Sequence, residues 1–405
     1  MRGDRERRST QAVAAAVVLG CLVAGVLDDA AAQVGRGRYS VGAVVLDQRD
    51  ESRQYRPPEN PWGGDVAVSG PRPIQTLVWY PARGDSGGSR VLFEDYAYLW
   101  GSDETLLPPD RQVRARVRER VATYARVGQG ILAQHLGAEM GARWDAPAEG
   151  GRFPLIVYAP GWGQPSWMNS QLCEMLASHG YVVVASPSFS SDSRQMVDGF
   201  AGLDAQARDI EFLARTMQGR PDVLPGRLGI VGYSWGGTAN VLAAQRLRDV
   251  AAVVSIDGFI NLGYTRLRGM SDLFAAETMG VPFMSVTPPP ARTSAQLLAA
   301  RLDTSFVFYE TLRLADAYDL TFTRMRNHED VVSVYTRFLG ERADRTPEER
   351  EAAGRSFGLM SEYVLRFLNA YVRGDQESLT WLWRAPEQNG VPPGYLQIRR
   401  KRGSR

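Results

Sequence analysis

Unbroken apolar runs punctuate this chain, most clearly Leu155-Ile156-Val157-Tyr158 and Tyr181-Val182-Val183-Val184. A strand with no polar face is buried on both sides, as in a mainly parallel sheet covered by helices. Apolar or alternating runs predict strands over Ser40–Leu46, Ile74–Tyr80, Pro154–Ala159, Tyr181–Ser186, Arg227–Val231, Ala251–Ile256, Val281–Thr287 and Leu320–Met325. Helical periodicity fills the intervals at Ser170–His179, Leu203–Met217, Thr238–Leu247 and Met360–Val372. Strands alternating with helices predict an α/β fold, with a mainly parallel sheet flanked by helices. Ser40–Leu46 and Ile74–Tyr80 have no helix between them, which predicts an antiparallel entry to the sheet.

Two segments break the rhythm. Glu104 to Asp145 is rich in arginine and carries helically spaced Val113, Val117, Val121, Tyr124 and Val127. It reads as a helical insertion packed on the sheet or over its edge, with the arginines on a solvated face. Thr287 to Leu302 opens on three prolines and then turns helical, so it is expected to cap a pocket at the sheet's edge. No internal repeat or long low-complexity linker appears. One domain with insertions, spanning 33–398, is the reading.

The two ends are read as lying outside that fold. Arg2, Arg5, Arg7 and Arg8 precede an uncharged apolar run, Ala12 to Leu27, and Ala30-Ala31-Ala32 then offers a cleavage site. Residues 1–32 therefore read as a secretory signal peptide, with export to the periplasm or medium. The apolar run falls short of the ~20 residues of a spanning helix, so an uncleaved membrane anchor is the lesser alternative. At the other end Arg399-Arg400-Lys401-Arg402 reads as a solvated basic tail, 399–405. A net charge of +2 gives no electrostatic ground for nucleic-acid binding. Of two cysteines, Cys21 would leave with the leader. Cys173 lies in an apolar helical pattern and reads as a buried structural thiol.

The chemistry concentrates at Gly232-Tyr233-Ser234-Trp235-Gly236-Gly237. An apolar run precedes it and a helical run follows, so a serine stands at the apex of a strand–turn–helix. This G-x-S-x-G pattern resembles the nucleophile elbow of α/β-hydrolases. Small residues are needed two positions either side of the serine, where side chains would meet neighbouring backbone. The helix start aims unpaired N–H groups at the site, which favours developing negative charge.

A serine nucleophile needs a base and an orienting acid. The chain has three histidines. His135 falls in the insertion, and His179 sits at a helix end before Gly180, as a C-terminal cap. His328 follows the last strand and is the candidate base. Asp257 directly follows the run Ala251–Ile256, at the carboxyl end where ligands gather in such sheets. Asp249 and Asp319 fall at the opposite edge, Asp303 in a helical stretch, and Asp330 reads as a helix-start residue. The candidate catalytic set is Ser234, Asp257 and His328, in the chain order that the α/β-hydrolase resemblance implies. Two backbone N–H donors complete it: Trp235, after the serine, and Trp162, in the loop Ala159–Gly163. Trp162, Trp167, Trp235 and Phe259 are candidates to line an apolar pocket, with core packing equally open.

Phe153 to Ser188 resembles the platelet-activating-factor acetylhydrolase group of α/β-hydrolases, through Pro-Leu-Ile-Val-Tyr-Ala-Pro-Gly-Trp-Gly and Leu-Ala-Ser-His-Gly-Tyr-Val-Val. Val78-Trp79-Tyr80-Pro81-Ala82 is similar to that group's early strand, and dienelactone-hydrolase-like proteins look similar too. The likeness spans Tyr39 to Leu379, insertions excepted. It implies ester hydrolysis through Ser234, His328 and Asp257, with Trp162 and Trp235 holding the oxyanion. Pro160 stands where the family often has histidine. Serine stands where true dienelactone hydrolases have cysteine, which argues against that substrate. The expectation is an exported serine carboxylesterase, without metal or other cofactor, acting on a small-molecule or lipid ester. A lipase or phospholipase A2-like activity is the alternative, and a catalytically idle binding module is the rival of another class. Contact with a membrane surface and the oligomeric state stay open.

Overall fold

The computed structural model describes residues 35–60, 62, 69–84, 87–289 and 307–404. The expected leader with Cys21, and most of the expected cap with Asp303, lie outside them. Strand alternation sorts the apolar residues into two cores, one on each face of the sheet. Leu77, Trp79, Ile156, Tyr158, Val183 and Val231 face one way. Val78, Tyr80, Leu155, Val157, Val184 and Ile230 face the other. The period of two in a strand makes this division unavoidable when both faces are covered.

Among the described residues the sheet has eleven strands. Numbered along the chain, they are β1 Ser40–Tyr55, β2 Gly70–Ala82, β3 Arg90–Leu92, β4 Glu139–Trp144, β5 Phe153–Ala159, β6 Val182–Ala185, β7 Val223–Tyr233, β8 Val250–Ile256, β9 Phe283–Thr287, β10 Ala317–Phe322 and β11 Leu396–Lys401. Their spatial order is β11-β10-β9-β8-β7-β5-β6-β2-β1-β4-β3. The six strands from β10 to β6 run parallel to one another. β1 and β2 form the expected antiparallel pair, in register from Ser40 opposite Ala82 to Asp50 opposite Arg72.

Helix α1 Phe93–Leu99 precedes the insertion, and α2 Arg111–Ala125 and α3 Gln129–Leu136 lie within it. The core helices are α4 Ser170–Ser178, α5 Phe200–Met217, α6 Trp235–Arg246 and α7 Ile260–Met270. After them come α8 Val307–Thr311, α9 Ser333–Arg337, α10 Pro347–Leu368 and α11 Gln376–Trp383. α4 and α10 cover one face, through Leu172, Leu176, Met360 and Phe367. α5 and α6 cover the other, through Leu203, Ile210, Val241 and Leu242.

Three features differ from the sequence reading. The insertion is not wholly helical, because its last segment is β4, which pairs parallel with β1 and antiparallel with β3. The basic run at the C-terminus is an ordered strand rather than a frayed tail. Leu396 and Ile398 pack against the core, and β11 pairs with β10 from Phe322 opposite Leu396 to Ala317 opposite Lys401. Arg399 reaches Asp319 at 2.7 Å and Glu310 at 2.7 Å, so carboxylates already in the fold hold this arginine against the sheet. Asp319 accordingly lies within β10, buried, and not ahead of the strand. The third is α10, whose capping box starts it at Thr346, with Pro347 in its first turn.

Among the described residues no helix is long and apolar enough to cross a membrane.

Candidate active site

β7 delivers the chain to Ser234, which adopts φ 54° and ψ −118°, and α6 begins at the next residue. A non-glycine residue in that region stores strain of roughly 1–3 kcal/mol. Surrounding contacts hold it there: Ser234 N–H donates to Ile256 O at 2.8 Å. A Cβ on Gly232 would lie 2.6 Å from Gly236 carbonyl atoms, and one on Gly236 would lie 2.3 Å from Ala159 O. The glycines are thus fixed by backbone on backbone, which cannot move aside cheaply. Gly236→Ala is expected to lower stability by about 1–3 kcal/mol through this overpacking. A shift in the urea unfolding midpoint measures it.

Asp257 follows β8 with φ 46°, and its N–H donates to Val286 O at 2.6 Å. The carboxylate stands 2.5 Å from His328 Nδ1, and His328 Nε2 stands 2.9 Å from Ser234 Oγ. A carboxylate only accepts, so Nδ1 carries the proton and Nε2 faces the serine as an acceptor. The structure therefore brings Ser234, His328 and Asp257 together from three separate loops at the carboxyl edge of β7, β8 and β10.

The histidine loop is clamped from both ends. Asp330 forms a buried two-point ion pair with Arg345, at 2.6 and 3.0 Å, and also accepts from Arg326 N–H at 2.6 Å. It is a loop anchor and not the helix-start residue that the sequence suggested. Next to His328, Glu329 pairs with Arg126 at the end of α2, which ties the insertion to this loop. Removing one partner of a buried pair leaves an uncompensated charge. Arg345→Ala is therefore expected to cost about 3–5 kcal/mol, read as a lower urea midpoint together with reduced turnover.

The candidate oxyanion loop, Ala159–Gly163, packs directly on the elbow. Pro160 O accepts from Gln206 Nε2 at 2.7 Å, and Gly161 N–H donates to Gln164 Oε1 at 3.1 Å. Neither Trp162 N–H nor Trp235 N–H has an acceptor among the described residues. The latter is one of the orphan donors that every helix start presents.

The Chlorophyllase family model matches residues 143–263, a segment that holds Trp162, Ser234, Trp235 and Asp257. The solved structure of a ferulic acid esterase from Streptomyces cinnamoneus superposes with a TM-score of 0.59 at 19% identity, over 89% of this chain and 96% of that one. This chain has the α/β-hydrolase fold. No curated protein sequence matches it.

Within this fold the expected aromatic pocket divides. Trp162 is 41% exposed and meets Trp235 edge-to-face, with ring centroids 4.8 Å apart. Trp167 is instead a core residue, packed edge-on against Phe93 and Trp100. Phe259 lays its ring over Gly263 of α7. The Trp162–Trp235 pair thus adjoins the nucleophile, since Trp235 directly follows Ser234.

The other singled-out residues lie elsewhere. His135 packs against Phe338 and lies 3.5 Å from Glu341. His179 caps α4 and contacts Gly35 O at 3.0 Å, and burial lowers its pKa. Cys173 is a buried free thiol whose pKa burial raises well above the usual range. Among the described residues no group of His, Cys, Asp or Glu is arranged to hold a metal ion. A cleft of about 860 Å³ runs between the insertion and α10, lined in part by His135, Glu174 and Arg337 and by none of Ser234, Asp257 or His328.

Sequence reasoning passed over two parts of the candidate site. One is the Asp330–Arg345 anchor, whose partners are far enough apart in the chain that no motif links them. The other is Tyr233. Its ring stacks on His328, with centroids 4.7 Å apart and planes 29° apart, and its hydroxyl donates to His328 O at 3.1 Å. Burial holds its phenol pKa well above the usual value, so it remains a neutral donor.

Proposed function

We propose that this chain is an exported serine carboxylesterase. The contact chain Asp257–His328–Ser234 carries the reading, because its tautomer leaves Nε2 free to take the serine proton. His328 removes that proton as Ser234 Oγ attacks the ester carbonyl carbon. The negative charge that develops on the carbonyl oxygen is held by Trp162 and Trp235 N–H groups. The carbon–oxygen bond to the alcohol then breaks, and the imidazolium returns its proton to the departing oxygen. Water, deprotonated by His328, attacks the acyl-enzyme, and the acid leaves as Ser234 regains its proton. No cofactor enters these steps.

The likeness of fold to a protein named as a ferulic acid esterase supports ester substrates. The exposed Trp162 beside Trp235 supports a small acid or alcohol group with a flat apolar face over a long flexible chain. Export rests on the charged start, apolar run and Ala30-Ala31-Ala32 of the sequence.

The test is a p-nitrophenyl ester series from acetate to palmitate, run alongside labelling by a serine-directed phosphonate. Turnover highest on short esters, with one phosphonate per chain on Ser234, is the expected result. A palmitate optimum would replace this reading with a lipase. Neither turnover nor labelling in the folded protein would point to a binding module.

A further inference from the structure

We propose that Tyr233 is the positioning residue that sets His328 against Ser234. The inference rests on the serine-hydrolase reading above. Two site elements, the histidine loop and the oxyanion loop, meet on this one side chain. Its ring stacks on the imidazole, with centroids 4.7 Å apart and planes 29° apart, and its hydroxyl donates to the same residue's carbonyl at 3.1 Å. On another side, a Cβ at Gly161 would stand 3.0 Å from the Tyr233 ring, so the oxyanion loop rests against it. The ring is 2% exposed and cannot turn away from these contacts.

The geometry explains why such a support is needed. His328 is 47% exposed and comes from a loop, whereas Ser234 is locked by the elbow. Asp257 holds only Nδ1, and rotation about that single contact would swing Nε2 off the serine. A flat ring beneath the imidazole removes that freedom, and the hydroxyl fixes the height of the loop. Tyr233 immediately precedes Ser234, so base and nucleophile are registered on consecutive residues of one rigid turn. A misplacement on the order of 1 Å in such a site reduces turnover by roughly a hundredfold.

Two variants test this. Tyr233→Phe keeps the stack and loses the carbonyl contact, and its kcat is expected to fall by about tenfold. Tyr233→Leu loses both, with kcat down by about a hundredfold. In each, KM should stay within about twofold, because a positioning residue does not bind ground-state ester. The rate of phosphonate labelling should fall in step with kcat, since it reports activation of the serine by the histidine. Wild-type kcat in both variants overturns the proposal, as does a rise in KM that accounts for the loss. If Tyr233→Leu fails to fold, Tyr233→Phe alone decides by the same criteria. Ser234→Ala is run beside them. An inactive Ser234→Ala with unaffected Tyr233 variants refutes the positioning role alone. An active Ser234→Ala refutes the hydrolase reading itself.

Discussion

Ser234→Ala should lower kcat/KM for the best ester by about 10⁴-fold or more, leaving only the contribution of binding and the oxyanion donors. Among the described residues, nothing else placed at the site can take over the attack. Cys173 is buried in the core on α4 and held as the neutral thiol. The other serine in contact with the elbow, Ser255, is buried and faces Gly237 and Gly258. The backbone should tolerate the change, because alanine fills less space and the turn is held by Ser234 N–H on Ile256 O. The urea midpoint should therefore correspond to wild-type stability within about 1 kcal/mol, the value of the lost Oγ contact. Progress curves with the preferred ester, together with that unfolding curve, check both halves.

Asp257→Asn should reduce kcat by about 10⁴-fold with little effect on KM. Asparagine tolerates the φ of 46° that this position requires, so the fold has no reason to change. The proton on the histidine does change place. An amide facing Nδ1 at 2.5 Å can donate, which moves the imidazole proton to Nε2 and sets it against the serine's own. The base is then present, correctly located and in the wrong tautomer. Pre-steady-state acylation separates this outcome from a binding defect: the acyl-enzyme should form slowly at saturating ester. Acylation at the wild-type rate would show that Asp257 does not orient His328.

Much of this arrangement was legible before any coordinates. The strands on both sides of the elbow were apolar through and through, and that alone places them inside a parallel sheet. Three histidines made elimination possible, and the position of Asp257 after a strand was enough to separate it from the other acids. What stayed hidden depended on partners distant in the chain. β11 was read by its charge, although Leu396 and Ile398 alternate with polar residues as an edge strand requires. Asp319 and Glu310 explain why Arg399 can lie down on the sheet. Thr346-Pro347-Glu348-Glu349 is a local helix-start signal that could have been found, since the capping pattern lies within four residues. Tyr233 could not: the motif treats its position as free, and its ring meets His328 only once the loop has folded back.

The two outermost strands of the sheet have a bearing on solubility. A long exposed edge offers unpaired N–H and C=O groups to any other chain. β3, at one end, has three residues and offers little to pair with. β11, at the other, carries Arg399, Arg400 and Lys401 in succession. Basic side chains on an outer strand disfavour its pairing with a second copy. Its pairing also covers Leu320 and Phe322 of β10, both fully buried. The basic run thus shields the sheet from edge-to-edge polymerisation, a task that positive charge on an outer strand performs without any ligand.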